Sequence, residues 1–231
     1  MPDAYEPRRA ARSLHHPVRG IPYHVYQWGD ASLVTPDRPP LVLVHGWMDV
    51  GASFQFTVDA LAEAEGADRL VYAPDWRGFG LTAPTGVDSY WFPDYLGDLD
   101  ALLDLLAPGQ AVDLVGHSMG GNVVMSYAGV RPARVRRLVN LEGFGLPATS
   151  PDEAPGRLAR WLDELSEPAA LRDFASVDDV AARLRKTNPR LDAARRAGRA
   201  ARWARACDSG RWDAIGDTAR KRNNPAARRR A

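Results

Sequence analysis

The 231 residues, 45% of them hydrophobic, suffice to bury one full core with room for a small insertion, and no run approaches the length of a membrane span. A single cysteine, Cys207, excludes an internal disulfide and any cysteine-built metal site. The net charge of +1 conceals an asymmetry: residues 183–231 carry 16 Lys+Arg against 4 Asp+Glu, whereas residues 1–182 carry 14 against 25, so a basic end follows an acidic body.

Residues 1–20 hold Arg8, Arg9, Arg12 and Arg19 and no apolar stretch. They read as a flexible arm without a secretory signal, which makes the cytoplasm the expected location. Ile21 to Trp28 alternates aromatic and β-branched residues, the pattern of an antiparallel or edge strand, with His24 as a half-buried strand residue. After a loop rich in Pro, Asp and Ser, the continuous apolar run Leu41-Val42-Leu43-Val44 reads as a parallel strand covered on both faces. A helix is expected over residues 53–64 and a further strand over residues 69–74. The strand exits on Asp75-Trp76-Arg77-Gly78-Phe79-Gly80, a structural turn that lacks the Lys-Ser/Thr of a phosphate loop; Asp75 and Arg77 are expected to bond the turn. Residues 93–106 form an amphipathic helix in which Tyr95, Leu96, Leu99, Leu102, Leu103 and Leu106 recur at three and four.

Asp113-Leu114-Val115-Gly116-His117-Ser118-Met119-Gly120-Gly121-Asn122-Val123-Val124 then runs as strand, sharp turn and helix around a serine. Gly116 and Gly120 lie two before and two after Ser118, where small residues let a strained strand-to-helix turn close: a nucleophile elbow. Another strand is expected over residues 135–141, followed by Glu142-Gly143-Phe144-Gly145. Alternating strands and helices mean a mostly parallel sheet with helices on both faces, an α/β fold. Ligands bind such sheets at the strands' carboxyl ends, so Trp47, Asp75, Ser118 and Glu142 are expected to share one crevice.

From residue 146 the pattern turns wholly helical, with Ser150-Pro151-Asp152-Glu153 and Ser176-Val177-Asp178-Asp179 as capping signals and Asn188-Pro189 opening a third helix. Residues 146–210 read as a helical lid over the crevice and residues 211–231 as a basic tail with no strand in it. Arginine alternating with alanine there is a solvated face, without the fold or interleaved aromatics of a nucleic-acid reader.

On Val44-His45-Gly46-Trp47, Asp75-Trp76-Arg77-Gly78-Phe79-Gly80 and Gly116-His117-Ser118-Met119-Gly120-Gly121, residues 20–145 resemble the α/β-hydrolase superfamily. Arg185-Lys186-Thr187-Asn188-Pro189-Arg190-Leu191 is similar to its serine hydrolase-like branch. The resemblance implies a hydrolase of small esters or related acyl compounds that needs no cofactor and no metal. Ser118 would be the nucleophile and the Met119 and Trp47 amides the oxyanion hole, with His45, Gly46, Gly116 and Gly120 supporting the turn. Most members place the catalytic acid after a seventh strand, but some, including a group of haloalkane dehalogenases, place it after the sixth. Glu142 has that place here, and an ordinary surface glutamate is the other reading. Dehalogenase and epoxide hydrolase chemistry are disfavoured, since those relatives carry an aspartate at the position of Ser118.

The family's histidine follows the last strand, yet His15, His16, His24, His45 and His117 all precede the nucleophile. Strand alternation directs His117 into the protein, opposite to Ser118, and in relatives the histidine at His45 is structural. The expectation is therefore a hydrolase scaffold truncated before its last strands. Its alternative function is a binding protein without turnover. A sheet edge left bare at the sixth strand is the expected site of self-association, a small molecule the expected ligand, and neither a membrane nor a nucleic acid an expected partner.

Overall fold

The computed structural model describes residues 5–145, 148–166, 173–207 and 210–221. Six strands form one sheet: β1 (Arg12–Val18), β2 (Ile21–Trp28), β3 (Leu41–Val44), β4 (Val71–Pro74), β5 (Val112–His117) and β6 (Val135–Leu141), in the spatial order β1-β2-β4-β3-β5-β6. The last four are mutually parallel, while β2 runs antiparallel to both β1 and β4. Because strand side chains alternate, Val42 and Val44 enter a core with α2 (Phe92–Leu106) and α3 (Met119–Val130), and Leu41 and Leu43 enter one on the opposite face with α1 (Gln55–Glu65). The parallel strands thus read as unbroken apolar runs because both faces are covered.

Residues 5–20 correct the expectation of a flexible arm, whose first four residues lie outside the described residues. Arg12–Val18 pairs residue by residue with β2, and ahead of it the Tyr5 hydroxyl and the Arg8 and Arg9 amides converge on the Asp59 carboxylate at 2.6, 3.2 and 2.9 Å. The sequence hides the strand because it is an exposed outer one, in which basic residues and Pro17 interrupt the alternation.

At the amino end of β5, Asp113 receives Arg69 Nη2 at 2.9 Å and Arg136 Nε and Nη2 at 2.9 and 2.7 Å. Burial works to raise this carboxyl, and hydrogen bonds and charge from Arg136 and Arg69 more than reverse it, holding it below the usual carboxylate range. A carboxyl lowered by folding stabilises the native state in full above its unfolded pKa of about 3.9, and that contribution is lost as pH falls through the lowered native value. In urea titrations at neutral pH the Asp113→Asn chain is therefore expected to be the less stable, with the gap to wild type closing as pH falls below the ordinary carboxylate range.

Among the described residues the sheet ends on β6, whose free edge leaves Leu138, Val139 and Leu141 38%, 48% and 46% exposed. The chain then forms α4 (Ala154–Ser166), α5 (Val177–Thr187) and α6 (Ala193–Trp203). The third helix starts later than Asn188-Pro189 suggests, because the Asp192 side chain caps it by accepting the Arg195 amide at 2.8 Å. The segment is also not wholly helical. Short strands β7 (Asp173–Phe174), β8 (Ala204–Ala206) and β9 (Trp212–Ala214) pair as a separate antiparallel sheet in the order β7-β9-β8.

Residues 211–221 are accordingly no free tail. The Gly80 amide donates to Ile215, the Asp217 amide donates to Gly78, the Tyr90 hydroxyl donates to Asp217 at 2.7 Å, and Ala219 is buried in the main core. Two- and three-residue strands carry no periodic signal, which is why the sequence pattern conceals them. The remainder of the expected tail, residues 222–231, lies outside the described residues. Among the described residues no helix is long and apolar enough to cross a membrane.

Candidate active site

Ser118 sits between β5 and α3 at φ 51°, ψ −113°, a conformation a non-glycine residue enters only under constraint. The constraint is visible on every side. A Cβ at Gly116 would collide with the Gly120 carbonyl, and one at Gly120 would stand 2.5 Å from the Val44 oxygen. The Ser118 amide donates to the Leu141 carbonyl at 2.7 Å, tying the elbow to the end of β6. That bond uses up the serine's own N–H. The next amide, Met119, opens α3, where the first N–H groups have no intrahelical acceptor.

The loop after β3 meets the elbow at Gly46, where an added Cβ would lie 3.0 Å from both His117 Nδ1 and Ser118 Cβ. Both side chains therefore press against one point. Among the described residues, neither the Trp47 nor the Met119 amide is taken by an acceptor, as two oxyanion donors require. His45, fully buried, holds this loop. Its Nε2 accepts the Trp76 amide at 3.0 Å, which places its proton on Nδ1, 2.8 Å from the Gly46 oxygen; both nitrogens are committed.

His117 departs from expectation. Its side chain is 41% exposed and lines the crevice, with Nε2 3.8 Å from Glu142 Oε2. Strand alternation fails here because the positive φ of the next residue rotates the chain out of the pleat. Glu142, itself at φ 62°, is held by its neighbours: Asn140 accepts the Gly143 amide at 2.8 Å and donates to the Gly143 oxygen at 2.7 Å. This Asn-x-x-Gly turn is a positioning device that the sequence shows and that the reading from sequence missed. Asp75 is the expected residue that the crevice does not receive: it is buried, accepting the Gly51 and Leu81 amides at 2.6 and 2.9 Å. Bonding the turn is the role expected of it. The carboxyl ends of the strands thus gather Trp47, Ser118 and Glu142, and His117 with them.

The crevice, of about 560 Å³, lies between the elbow and the segment after residue 145. Trp47, Met48, His117 and Glu142 form one wall; Phe174, Leu184, Trp203, Arg183 and Arg199 belong to the other. Trp203 Nε1 donates to the Met48 oxygen at 2.8 Å and Arg199 pairs with Asp49 at 2.8 Å, so α6 is docked on the loop after β3. Met48 has φ 58°. Of the four described non-glycine residues with positive φ, Met48 and Glu142 line this crevice and Ser118 directly follows His117, which also lines it.

Residues 39–224 match a family model described as the alpha/beta hydrolase fold. The chain belongs to the α/β-hydrolase fold family. It is 33% identical over 144 residues to a serine hydrolase-like protein of Danio rerio, covering 62% of this chain and 41% of that one. It is 34% identical over 149 residues to a cis-3-alkyl-4-alkyloxetan-2-one decarboxylase of Shewanella oneidensis, covering 62% and 44%. This α/β-hydrolase-fold chain thus spans less than half the length of either curated relative. Among solved structures it resembles the thioesterase domain of the curacin biosynthetic pathway, with a TM-score of 0.77 and 27% identity over 92% of this chain and 72% of that one.

The histidines of this α/β-hydrolase-fold chain do not form the family's usual triad. Among the described residues, no imidazole is hydrogen-bonded to Ser118 Oγ. The imidazole that does bridge a serine and an aspartate is His24, on the far side of β3 and β4.

Proposed function

We propose that the chain is an acyl hydrolase of small esters or related acyl compounds, in which Ser118 is the nucleophile and the Met119 and Trp47 amides receive the oxyanion. The observation that carries this reading is the clustering of left-handed backbone at Met48, Ser118 and Glu142. Each such residue costs about 1–3 kcal/mol, and strain of this kind gathers where a site is held in a working geometry. His117 is the imidazole on the crevice wall that would take the serine's proton, and Glu142, 3.8 Å from it, is the carboxylate that would orient it. Relatives named as a serine hydrolase-like protein and as a thioesterase domain support acyl chemistry. The test is reaction with a fluorophosphonate and with p-nitrophenyl acetate, followed by peptide mapping. One phosphonyl group on Ser118 and ester turnover that falls in His117→Ala are expected; an unmodified Ser118 would overturn the reading.

A second reading, ligand binding without turnover, is favoured by the missing hydrogen bond between Ser118 and any described imidazole. It predicts that Ser118 is acylated once and released no faster than an ordinary ester hydrolyses.

We also infer that the free edge of β6 pairs with β6 of a second copy. Antiparallel pairing about Leu138 would place Arg134 opposite Glu142 and Arg136 opposite Asn140, and would cover Val139 and Leu141. Light scattering is expected to give a mass that rises with concentration and returns to that of one chain in Val139→Lys.

A further inference from the structure

The crevice leaves one catalytic arrangement unused. Ser13 on β1 and His24 on β2 are diagonal cross-strand neighbours, since Ser13 faces Tyr26 and His15 faces His24 in the ladder. Their side chains meet, with Ser13 Oγ 2.6 Å from His24 Nε2. The other ring nitrogen, Nδ1, lies 2.8 Å from Asp75 Oδ2. The Asp75 carboxylate also takes the Gly51 and Leu81 amides, so towards the imidazole it is an acceptor and Nδ1 carries the proton. His24 Nε2 then offers a lone pair, and the Ser13 hydroxyl donates to it.

The arrangement is rigid where it needs to be. His24 and Asp75 are both fully buried, the Asp75 amide donates to the His24 oxygen at 2.9 Å, and Thr82 Oγ1 accepts the His24 amide at 3.0 Å while donating to the Asp75 carbonyl at 2.5 Å. Ser13, by contrast, is exposed. The hydroxyl of an exposed serine therefore rests on a sheltered imidazole whose far nitrogen is fixed by a carboxylate, the relation that turns a serine into a nucleophile. The other titratable rings facing His24 are His15, 5.0 Å away between centroids, and Tyr26, 4.5 Å away and edge-on.

We propose that Ser13, His24 and Asp75 form a second acyl-accepting centre on the β1–β2 hairpin, reactive towards small activated acyl donors such as aryl esters. Ser13 Oγ attacks the carbonyl carbon as its proton passes to His24 Nε2. The carbon–oxygen bond to the leaving group then breaks, the aryloxide takes the electron pair and is protonated by His24, and an ester on Ser13 remains. Asp75 is a positioning residue, holding the tautomer and balancing the transient imidazolium.

The test uses the full chain carrying Ser118→Ala, so that its outcome is independent of the elbow. After treatment with p-nitrophenyl acetate, peptide-resolved mass spectrometry is expected to find acetyl on Ser13 about a hundred-fold faster than on the exposed Ser32 and Ser166, the usual gain from a positioned base. The preference is expected to disappear in Asp75→Asn. Since Asp75 also secures two loops, a second variant keeps the proposal open to failure: in Ser13→Cys, alkylation by iodoacetamide should follow a thiol pKa well below the ordinary value of about 8.5. Acetylation of Ser13 no faster than of Ser32, or an ordinary titration of the introduced thiol, overturns the proposal.

Discussion

Ser118→Ala is expected to yield no fluorophosphonate adduct on the elbow peptide and to lose ester turnover at the crevice, and Gly120→Ala is expected to be almost as silent with the serine still in place. The first variant removes the attacking oxygen. What remains is the oxyanion hole and binding, which in serine enzymes leave about 10³–10⁴-fold over water. The second removes no chemistry. Its methyl group would stand 2.5 Å from the Val44 oxygen, 2.7 Å from the His45 oxygen and 2.9 Å from the Val44 carbonyl carbon, all backbone atoms of the loop and strand that support the oxyanion side. None can rotate away, so α3 must shift outward and carry Met119 with it. Such overpacking costs about 1–3 kcal/mol, and a shift of an ångström at a reacting centre costs about a hundred-fold in rate. Labelling rates read beside urea midpoints separate the two effects. A Gly120→Ala chain that reacts at the wild-type rate would mean that the elbow is more pliant than its contacts imply.

Asp98→Ala is expected to be the most destabilising single change, at about 3–5 kcal/mol, because it takes both of its hydrogen bonds to Asp98 from a buried guanidinium and leaves it only the partly exposed Asp94. Asp98 is fully buried and accepts Arg77 Nε and Nη2 at 2.5 Å each, Arg19 Nη1 at 3.0 Å and the Tyr23 hydroxyl at 3.2 Å. The Tyr23 oxygen in turn accepts the Arg77 amide at 2.9 Å. One carboxylate thus ties α2, β2 and the turn after β4 together. With it gone, Arg77 keeps Asp94 at 3.3 Å as a partner. The turn also carries Phe79, packed edge-on against Trp47 at 5.3 Å, so the crevice loosens with it. Replacing both partners, Arg77→Met with Asp98→Leu, is expected to recover most of the loss, since an apolar pair leaves no stranded charge. Thermal or urea unfolding of the two chains checks both statements.

The motifs at the carboxyl ends of the strands were legible because each rests on a local requirement. The glycines around Ser118 and after His45 are demanded by close backbone approach, and Leu41–Val44 is apolar throughout because both faces are covered. The same locality explains the failures. Arg12–Val18 becomes a strand through pairing with β2, and Trp212–Ala214 through pairing with β7 and β8, so neither has an alternation of its own to read. His117 turned towards the crevice because a strained φ one residue later overrides the strand's alternation. The third helix starts at Asp192 rather than at Asn188-Pro189, because a cap depends on which side chain reaches the free amides.

Sequence by itself determined the fold class, the elbow and the glycine-bearing loop after β3, all set by short-range geometry. Tertiary structure alone decided which side chains share a space. It brought His117 and Glu142 to one wall, docked α6 on the loop through Trp203 and Arg199, and joined Ser13, His24 and Asp75 across 62 positions of sequence. Such meetings depend on strand order and register, which long-range pairing fixes and no local pattern encodes.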